Sequence, residues 1–182
     1  EPEEVAEAFD HLEQAGKVRH FGVSNQNPMM MELLKTAVKQ PLKVNQLQLS
    51  AAFTPSFEAG FHVNMEGPKA AVRDGSVFEY CRLTDTVIQA WSVLQHGYFK
   101  GNFVGKEEFA ALNHVLNDLA KKYQVTPTAI ALAWVLRYPG KMQAVIGTTK
   151  PQHVLEAGKA AEVTLTRKEW YQIYLAAGND LP

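Results

Sequence analysis

The amino-acid sequence predicts an α/β fold with a parallel sheet, and two features predict it. Four short apolar runs of strand composition alternate with stretches whose apolar residues recur at helical spacing. Strands that are separated by helices do not pair as hairpins, so they are expected to run parallel. The predicted strands cover residues 18–23, 44–49, 86–91 and 144–146.

The predicted helices carry recognisable start and stop signals. Gly16 is expected to end the first helix, because glycine is the preferred residue just beyond a helix C-terminus. Asn27 and Pro28 suit the N-cap and the first position of the second helix. Thr166 and Glu169 have the spacing of a capping box at the start of the last helix. The predicted helices cover residues 1–15, 27–38, 76–83, 107–123, 126–138, 151–161 and 166–177.

Two long segments without predicted regular structure, residues 50–75 and 92–105, follow the carboxyl ends of the second and third strands. This arrangement suits either half of a (β/α)8 barrel or part of a doubly wound sheet. The sequence lacks the glycine pattern G-x-G-x-x-G, which excludes the commonest dinucleotide-binding form of the doubly wound sheet. Barrels often bind phosphate in the loops after their last strands, and this favours the barrel.

A candidate anion site lies in the last strand–helix unit, A-V-I-G-T-T-K-P-Q-H-V-L-E-A at residues 144–157. Pro151 suits the first helical position, which makes Lys150 the N-cap, and a lysine side chain accepts no hydrogen bond. Within this stretch, no acidic residue occurs before Glu156. Uncapped N–H groups beside a cation favour a phosphate ligand. An ordinary turn whose N–H groups face water fits the same residues equally well.

Composition limits the classes of function. The chain has 182 residues, a net charge of −1 and 46% hydrophobic residues, which suits a globular domain. Near-neutral charge without basic runs argues against nucleic acid or an anionic membrane surface as the main partner. No apolar run is long enough to span a bilayer. The single cysteine, Cys81, excludes an internal disulfide; we expect it to be buried and the protein to be cytoplasmic.

Four motifs, in order, resemble those of the second half of an aldo-keto reductase. They are G-K-V-R-H-F-G-V-S-N at residues 16–25, V-N-Q-L-Q-L-S at 44–50, Q-A-W-S-V-L at 89–94 and V-I-G-T-T-K-P at 145–151. The resemblance covers essentially the whole chain and is closest to bacterial oxidoreductases of the family. It implies the C-terminal half of a (β/α)8 TIM barrel, with four parallel strands and outer helices, as one partial domain over residues 1–182. It also implies reduction of aldehydes or ketones with NADPH.

The resemblance assigns cofactor contacts to eleven residues. Ser24, Asn25 and Gln46 match the residues that hold the nicotinamide carboxamide, whose two donors and one acceptor such side chains can satisfy. Trp91 matches the aromatic residue on which the nicotinamide ring stacks. Ser92 and Leu94 match the positions that contact the pyrophosphate. The segment around the adenosine 2′-phosphate is matched by five residues: Gly147, Thr148, Thr149, Lys150 and His153.

Three positions near the phosphate depart from the family pattern. His153 stands where the family usually has Arg, Ala157 stands where it often has Asn, and Gly147 stands where Lys is common. Each departure removes a polar or charged contact, so together they weaken the expected preference for NADP over NAD.

The catalytic Asp, Tyr, Lys and His of the family belong to its first half-barrel, before residue 1 of this chain. The resemblance therefore implies no catalytic residue here. His20 on the first strand is expected to be structural, and His62 and His96 are expected to be solvated loop residues. His62 and Glu66 have no third ligand suggested, so no metal site is expected.

The leading hypothesis is the cofactor-binding half of an NADP-dependent aldo-keto reductase, inactive by itself. Such a fragment is expected to associate with the missing half or with itself, because an open half-barrel exposes sheet edges and an apolar face. Two alternatives remain: a nucleotide-binding or interaction module on the same fold without turnover, and a phosphate-binding barrel for another ligand.

Overall fold

The structure, a computed structural model, describes residues 1–61, 76–97 and 100–180. Within these residues, four β-strands alternate with eight α-helices. The strands are β1 (Phe21–Ser24), β2 (Leu42–Gln48), β3 (Val87–Trp91) and β4 (Met142–Ala144). The helices are α1 (Pro2–Gln14), α2 (Pro28–Lys35), α3 (Pro55–Phe61), α4 (Val77–Leu83), α5 (Ala110–Tyr123), α6 (Pro127–Leu136), α7 (Pro151–Gly158) and α8 (Arg167–Ala176). None of the described helices has both the length and the apolar composition needed to cross a membrane.

The four strands form one parallel sheet whose spatial order is the chain order, β1-β2-β3-β4. A doubly wound sheet reverses its strand order at a switch point, whereas a (β/α)8 barrel adds each strand beside the last. The sequential order therefore confirms the predicted fold class, a partial (β/α)8 barrel with outer helices. Gly22 is needed in β1, since a Cβ there would lie 2.7 Å from the Cβ of Val44.

Helix ends follow the predicted signals. Gly16 adopts φ 65° after α1, the left-handed conformation that glycine accepts most readily. The Asn27 side chain accepts a hydrogen bond from the Met30 amide at 2.9 Å, which caps α2. Thr166 and Glu169 form the complete capping box at the start of α8.

The main core lies between β2, β3 and the helices that cover them. Residues 129–135 of α6 are all buried, so this helix is apolar around its whole circumference. Trp134 and Trp170 stack with ring centroids 4.8 Å apart, and each indole N–H donates to the backbone carbonyl of the other residue, both at 3.0 Å. Cys81 is completely buried in this core, as predicted. Burial raises the pKa of its thiol, although a hydrogen bond with Asn45 partly offsets the effect.

The opposite face of the sheet is polar. Ser24, Gln46, Gln89 and Gln143 occupy one row across the four strands, according to the strand register. Gln46 Nε2 donates to Gln89 Oε1 at 3.3 Å, and Gln89 Nε2 donates to Gln143 Oε1 at 2.9 Å. We call these four residues the polar row; they lie on the face that would point into a closed barrel.

Two predictions about secondary structure were wrong. The fourth strand was predicted at residues 144–146, but β4 ends at Ala144, and the side chains of Val145 and Ile146 are 38% and 37% exposed. Their apolar character reflects the wall of a groove rather than a buried strand. The segment 50–75 was predicted to be irregular, but it contains α3, whose first residue is Pro55. Residues 62–75, with His62 and Glu66, lie outside the described residues.

Candidate functional site

A groove of about 500 Å³ opens at the carboxyl ends of β3 and β4, between these strands and helices α6 and α7. This is the end of a (β/α)8 barrel at which active sites occur. Its lining contains six of the eleven residues predicted to bind the cofactor. The lining residues are Trp91, Ser92, Val93, Leu94, Gln95, Asn102, Thr128, Leu132, Val145, Ile146, Gly147, Thr148, His153, Glu156 and Ala157.

The end of β3 provides one wall of the groove. Trp91 is the last residue of this strand and is half-buried. Ser92 follows with φ 52°, a left-handed conformation that a serine rarely adopts. Strained backbone of this kind is concentrated at functional sites, where the turn directs the following residues. Here the turn places Ser92 and Leu94 together in the groove wall.

Ser24, Asn25 and Gln46 lie beside this groove, not in it. The Ser24 hydroxyl and the backbone N–H of Asn25 both donate to the backbone carbonyl of Gln46, at 3.1 and 2.9 Å. Asn25 also has a left-handed backbone, with φ 54°. The Trp91 indole N–H donates to Asn25 Oδ1 at 3.4 Å, which connects the end of β1 to the groove wall. Ser24 and Gln46 instead line a shallow depression on the polar face of the sheet.

The β4–α7 connection forms the other end of the groove. Lys150 is the N-cap of α7 and makes no side-chain capping bond, as predicted, and the first turn of the helix contains no acidic residue. Thr148 Oγ1 lies 3.3 Å from His153 Nδ1 and accepts a hydrogen bond from the Lys150 amide at 3.2 Å. Gly147, Thr148 and His153 line the groove, whereas Thr149 and Lys150 are exposed outside its lining.

Two buried polar atoms near the groove have no hydrogen-bond partner among the described residues. They are Gln95 Oε1, in the groove lining, and Gln48 Nε2, on the residue of β2 that pairs with Trp91. Buried polar atoms are normally paired, and each unpaired one is destabilising until something supplies the missing bond. A ligand that carries both a hydrogen-bond donor and an acceptor would supply the missing bonds.

Sequence reasoning missed several contributors to this groove. Glu156 lies in the lining three residues after His153, on the same side of α7, and it accepts a hydrogen bond from Gln152 at 3.1 Å. Its position three residues after His153, which places both side chains on one face of a helix, is the sequence signal that could have identified Glu156. Thr128 and Leu132 come from α6. No local sequence pattern predicts that this helix packs against a strand of the next βα unit.

The histidines have different surroundings from those predicted. The side chain of His96 is 20% exposed and its ring lies 4.9 Å from that of Phe109, so it is packed and not a solvated loop residue. His20 is exposed and lines the depression on the polar face. Among the described residues, no group of three or more His, Cys, Asp or Glu side chains has an arrangement that suits a metal ion.

Comparison with known proteins gives the family. The model of the Aldo/keto reductase family matches residues 1–176. The 6-dehydroglucose reductase of Agrobacterium fabrum is 33% identical over 98% of this chain and 54% of its own length. Oxidoreductase YdhF of Escherichia coli is 32% identical over 99% of this chain and 54% of its own length. The chain thus spans about half the length of these relatives.

The fold comparison agrees with the sequence comparison. The crystal structure of the thermostable aldo-keto reductase Tm1743, in complex with the inhibitor epalrestat, has a TM-score of 0.70 at 21% identity. The match covers 97% of this chain and 55% of that one. Aldose reductase from Giardia lamblia gives a TM-score of 0.66, with 92% of this chain and 48% of that chain covered. On the family match across nearly all of its length, this chain belongs to the aldo/keto reductase family.

Proposed function

We propose that this chain supplies the cofactor-binding half of an NADP-dependent aldo-keto reductase that acts on an aldehyde or ketone. The observation that carries the proposal is the groove at the carboxyl ends of β3 and β4, which begins at Trp91 and extends to Thr148 and His153. It joins a flat aromatic wall to the start of α7, where Lys150 lies just outside the lining, and a nicotinamide nucleotide has matching aromatic and anionic ends. When bound, the nicotinamide would supply a hydride to the substrate carbonyl.

The residues at the nicotinamide end would orient the ring. Trp91 offers one indole face, and its hydrogen bond to Asn25 fixes the plane of that face. Ser24, Asn25 and Gln46 place hydroxyl and amide groups around the same strand ends, so they would hold the carboxamide. A ring held on one side exposes only its other side to substrate.

The residues at the phosphate end would hold the rest of the cofactor. Ser92 and Leu94 in the groove wall would contact the pyrophosphate. Gly147, Thr148, Thr149, Lys150 and His153 would surround the adenosine 2′-phosphate at the uncapped start of α7. The lysine charge and the positive end of the α7 dipole support NADP over NAD. Glu156 in the same lining works against a phosphate, so the 2′-phosphate is expected on the Lys150 side.

We further propose that residues 1–182 form a single partial domain that does not catalyse the reaction alone. None of the groove-lining residues is a tyrosine or a lysine, so the described groove holds no acid of the kind that protonates a carbonyl oxygen in this family. The polar row and the free edges of β1 and β4 support association with a complementary half-barrel or with a second copy of this chain. Bacterial relatives and a single buried cysteine support a cytoplasmic location.

Titration with NADPH tests the cofactor site. Replacing Trp91 by Leu removes the stacking surface and is expected to weaken NADPH binding about tenfold or more, whereas Trp91→Phe should retain most of the affinity. Lys150→Gln should weaken NADPH more than NADH, and Lys121→Gln, a change at an exposed lysine of α5, serves as its control. Equal NADPH affinity in Trp91→Leu and the unmodified chain would refute the proposed site.

Carbonyl-dependent oxidation of NADPH tests whether the chain catalyses. The purified chain is expected to bind NADPH without consuming it when an aldehyde such as 4-nitrobenzaldehyde is added. Clear turnover would show that the proton donor lies in this chain. A non-catalytic nucleotide-binding module is the second candidate, because the described groove has no proton donor of the expected kind; lack of turnover in a full-length parent protein would favour it.

A further inference from the structure

A second cavity of about 390 Å³ lies between helices α4, α6 and α8, and the structure gives it the chemistry of an anion site. Arg82 comes from the end of α4, Arg137 follows α6 directly, and Arg167 is the first residue of α8. Arg82 and Arg137 precede the amino ends of β3 and β4, so the cavity lies toward the end of the sheet opposite the cofactor groove. We call it the arginine cavity.

The charges in the arginine cavity are not balanced by the protein. The described part of the chain contains four arginines, and three of them line this one cavity, together with a single carboxylate from Glu79. None of these arginines has a carboxylate within 4.0 Å among the described residues, whereas Lys122 and Lys141 are both paired. A chain with a net charge of −1 has therefore gathered unpaired cations in one concavity.

One guanidinium is already oriented. Arg137 Nε donates to the Leu165 carbonyl at 2.9 Å, which fixes the base of the planar group. Its two terminal nitrogens remain to donate a forked pair of hydrogen bonds to an anion. Burial raises the pKa of the Tyr138 hydroxyl, with Glu79 adding to the effect and Arg82 opposing it, so this lining residue keeps its proton as a hydrogen-bond donor.

The floor of the arginine cavity is rigid and aromatic. Trp170 stacks on Trp134 and on Tyr174, with centroid distances of 4.8 and 5.7 Å. Tyr171 meets the edge of Trp170 at 5.1 Å, and Tyr138 packs edge-on against Phe78 at 4.9 Å. Because these rings are held by the core, they present apolar surface to the cavity without having to be ordered on binding.

We propose that the arginine cavity binds a phosphomonoester carried on an aromatic or similarly flat group. Arginine forks match the geometry of phosphate oxygens, and a dianion offsets the excess positive charge. The aromatic walls contribute stacking surface for the attached ring, and the volume is within the range of small-molecule pockets. This site is separate from the cofactor groove, and the proposal does not depend on reductase activity.

Calorimetric titration of the chain with phenyl phosphate at low ionic strength tests this proposal. Saturable binding of one equivalent is expected, with inorganic phosphate about tenfold weaker because it lacks the ring. Arg82→Gln and Arg167→Gln should each weaken phenyl phosphate about tenfold, since a charge-assisted contact is lost. Arg167→Lys keeps the positive charge but loses the forked pair of donors. Its affinity for phenyl phosphate should therefore lie between those of the unmodified chain and Arg167→Gln. The control is Arg19→Gln, which should change nothing: Arg19 is exposed like the other three described arginines but lies outside the cavity.

The outcomes separate this site from the groove and from loss of folding. Saturating NADPH should leave phenyl phosphate binding unchanged, and displacement by NADPH would assign the ligand to the cofactor groove and overturn the proposal. Absence of saturable binding, or equal weakening in Arg19→Gln, would also overturn it. Circular dichroism and melting of each variant should match the unmodified chain, and Arg167→Lys provides a folded variant if the Gln substitution reduces stability.

Discussion

The two faces of the four-stranded sheet contrast in composition and in role. On the helix side, Ile88 and Ala90 of β3 are essentially completely buried and pack into the main core. On the other side, Gln89 of the same strand is half-exposed and bonds laterally to Gln46 and Gln143. One strand thus contributes to stability with one set of side chains and presents a polar surface with the other.

This contrast shows what each face requires. The apolar residues on the helix side are covered by the chain itself, because α5, α6 and α8 bury them. The polar side has its amides bonded along the row but no covering layer in the described structure. Its polar residues continue toward Ser24 and Trp91 at the strand ends, so we expect changes on this side to affect binding and association more than folding.

The largest expected difference is between two neighbouring residues of β3. Ile88→Ala should lower the free energy of unfolding by about 2–5 kcal/mol, because it removes buried methyl groups and leaves a cavity. Gln89→Ala on the opposite face should change it by less than about 1 kcal/mol. Urea unfolding followed by circular dichroism measures both. Similar losses in the two variants would show that the polar row also stabilises the fold.

Glu169 is a buried carboxyl on the helix side, and its removal gives the next largest effect. Glu169 accepts hydrogen bonds from Lys122 at 2.6 Å, Tyr123 at 2.9 Å and the Thr166 amide at 2.8 Å. Burial by itself would raise the pKa of this carboxyl, but the hydrogen bonds from Lys122, Thr166 and Tyr123 outweigh it and lower the pKa to about 2. The ionised form is therefore strongly preferred in the folded chain.

The lowered pKa makes stability depend on pH in a defined window. The contribution of Glu169 is fully present above its ordinary value of 4.5 and is lost as pH falls toward about 2. At pH 7, Glu169→Gln should reduce stability by an amount on the order of 3 kcal/mol. The difference in stability between Glu169→Gln and the unmodified chain should shrink as the pH falls from 4.5 to 2. Glu162→Gln, in an exposed pair with Lys159, is the control and should have little effect at any pH.

The smallest of these effects concerns the phosphate end of the groove. His153→Arg places a permanent charge and a forked donor at the start of α7, where Lys150 is the only lysine or arginine within the helix start. NADPH binding is expected to strengthen about five- to tenfold while NADH binding stays unchanged. His114→Arg, on the exposed side of α5, is the matched control. Equal strengthening for NADH would place the 2′-phosphate away from His153.

The sequence predicts most of the fold because its signals are local. Asn27 and Thr166 cap their helices as the patterns predict, and four apolar runs mark the four strands. The end of β4 was predicted too late because Val145 and Ile146 have strand composition but form a groove wall. Apolar composition alone does not distinguish a buried strand from the lining of a binding site.

The site depends more strongly on contacts between distant segments. Composition and resemblance indicate Trp91 and Asn25 separately, but only the fold shows the hydrogen bond that connects them. The arginine cavity is assembled from residues 82, 137 and 167, which lie far apart in the chain and share no common motif. The unpaired atoms of Gln48 and Gln95 are likewise a property of packing. Such features follow from tertiary structure and have no local signature.

Chemical-shift mapping with NADPH tests the central claim most directly. In ¹H–¹⁵N spectra of the chain, the amides that shift on NADPH addition should cluster at the carboxyl ends of the strands, at Asn25, Trp91, Ser92 and Thr148–Lys150. The amides of Arg137 and Arg167 at the arginine cavity should not move. Saturable shifts confined to the groove would support a nicotinamide-nucleotide site carried by this chain. An unchanged spectrum at millimolar NADPH, or shifts centred elsewhere, would contradict it.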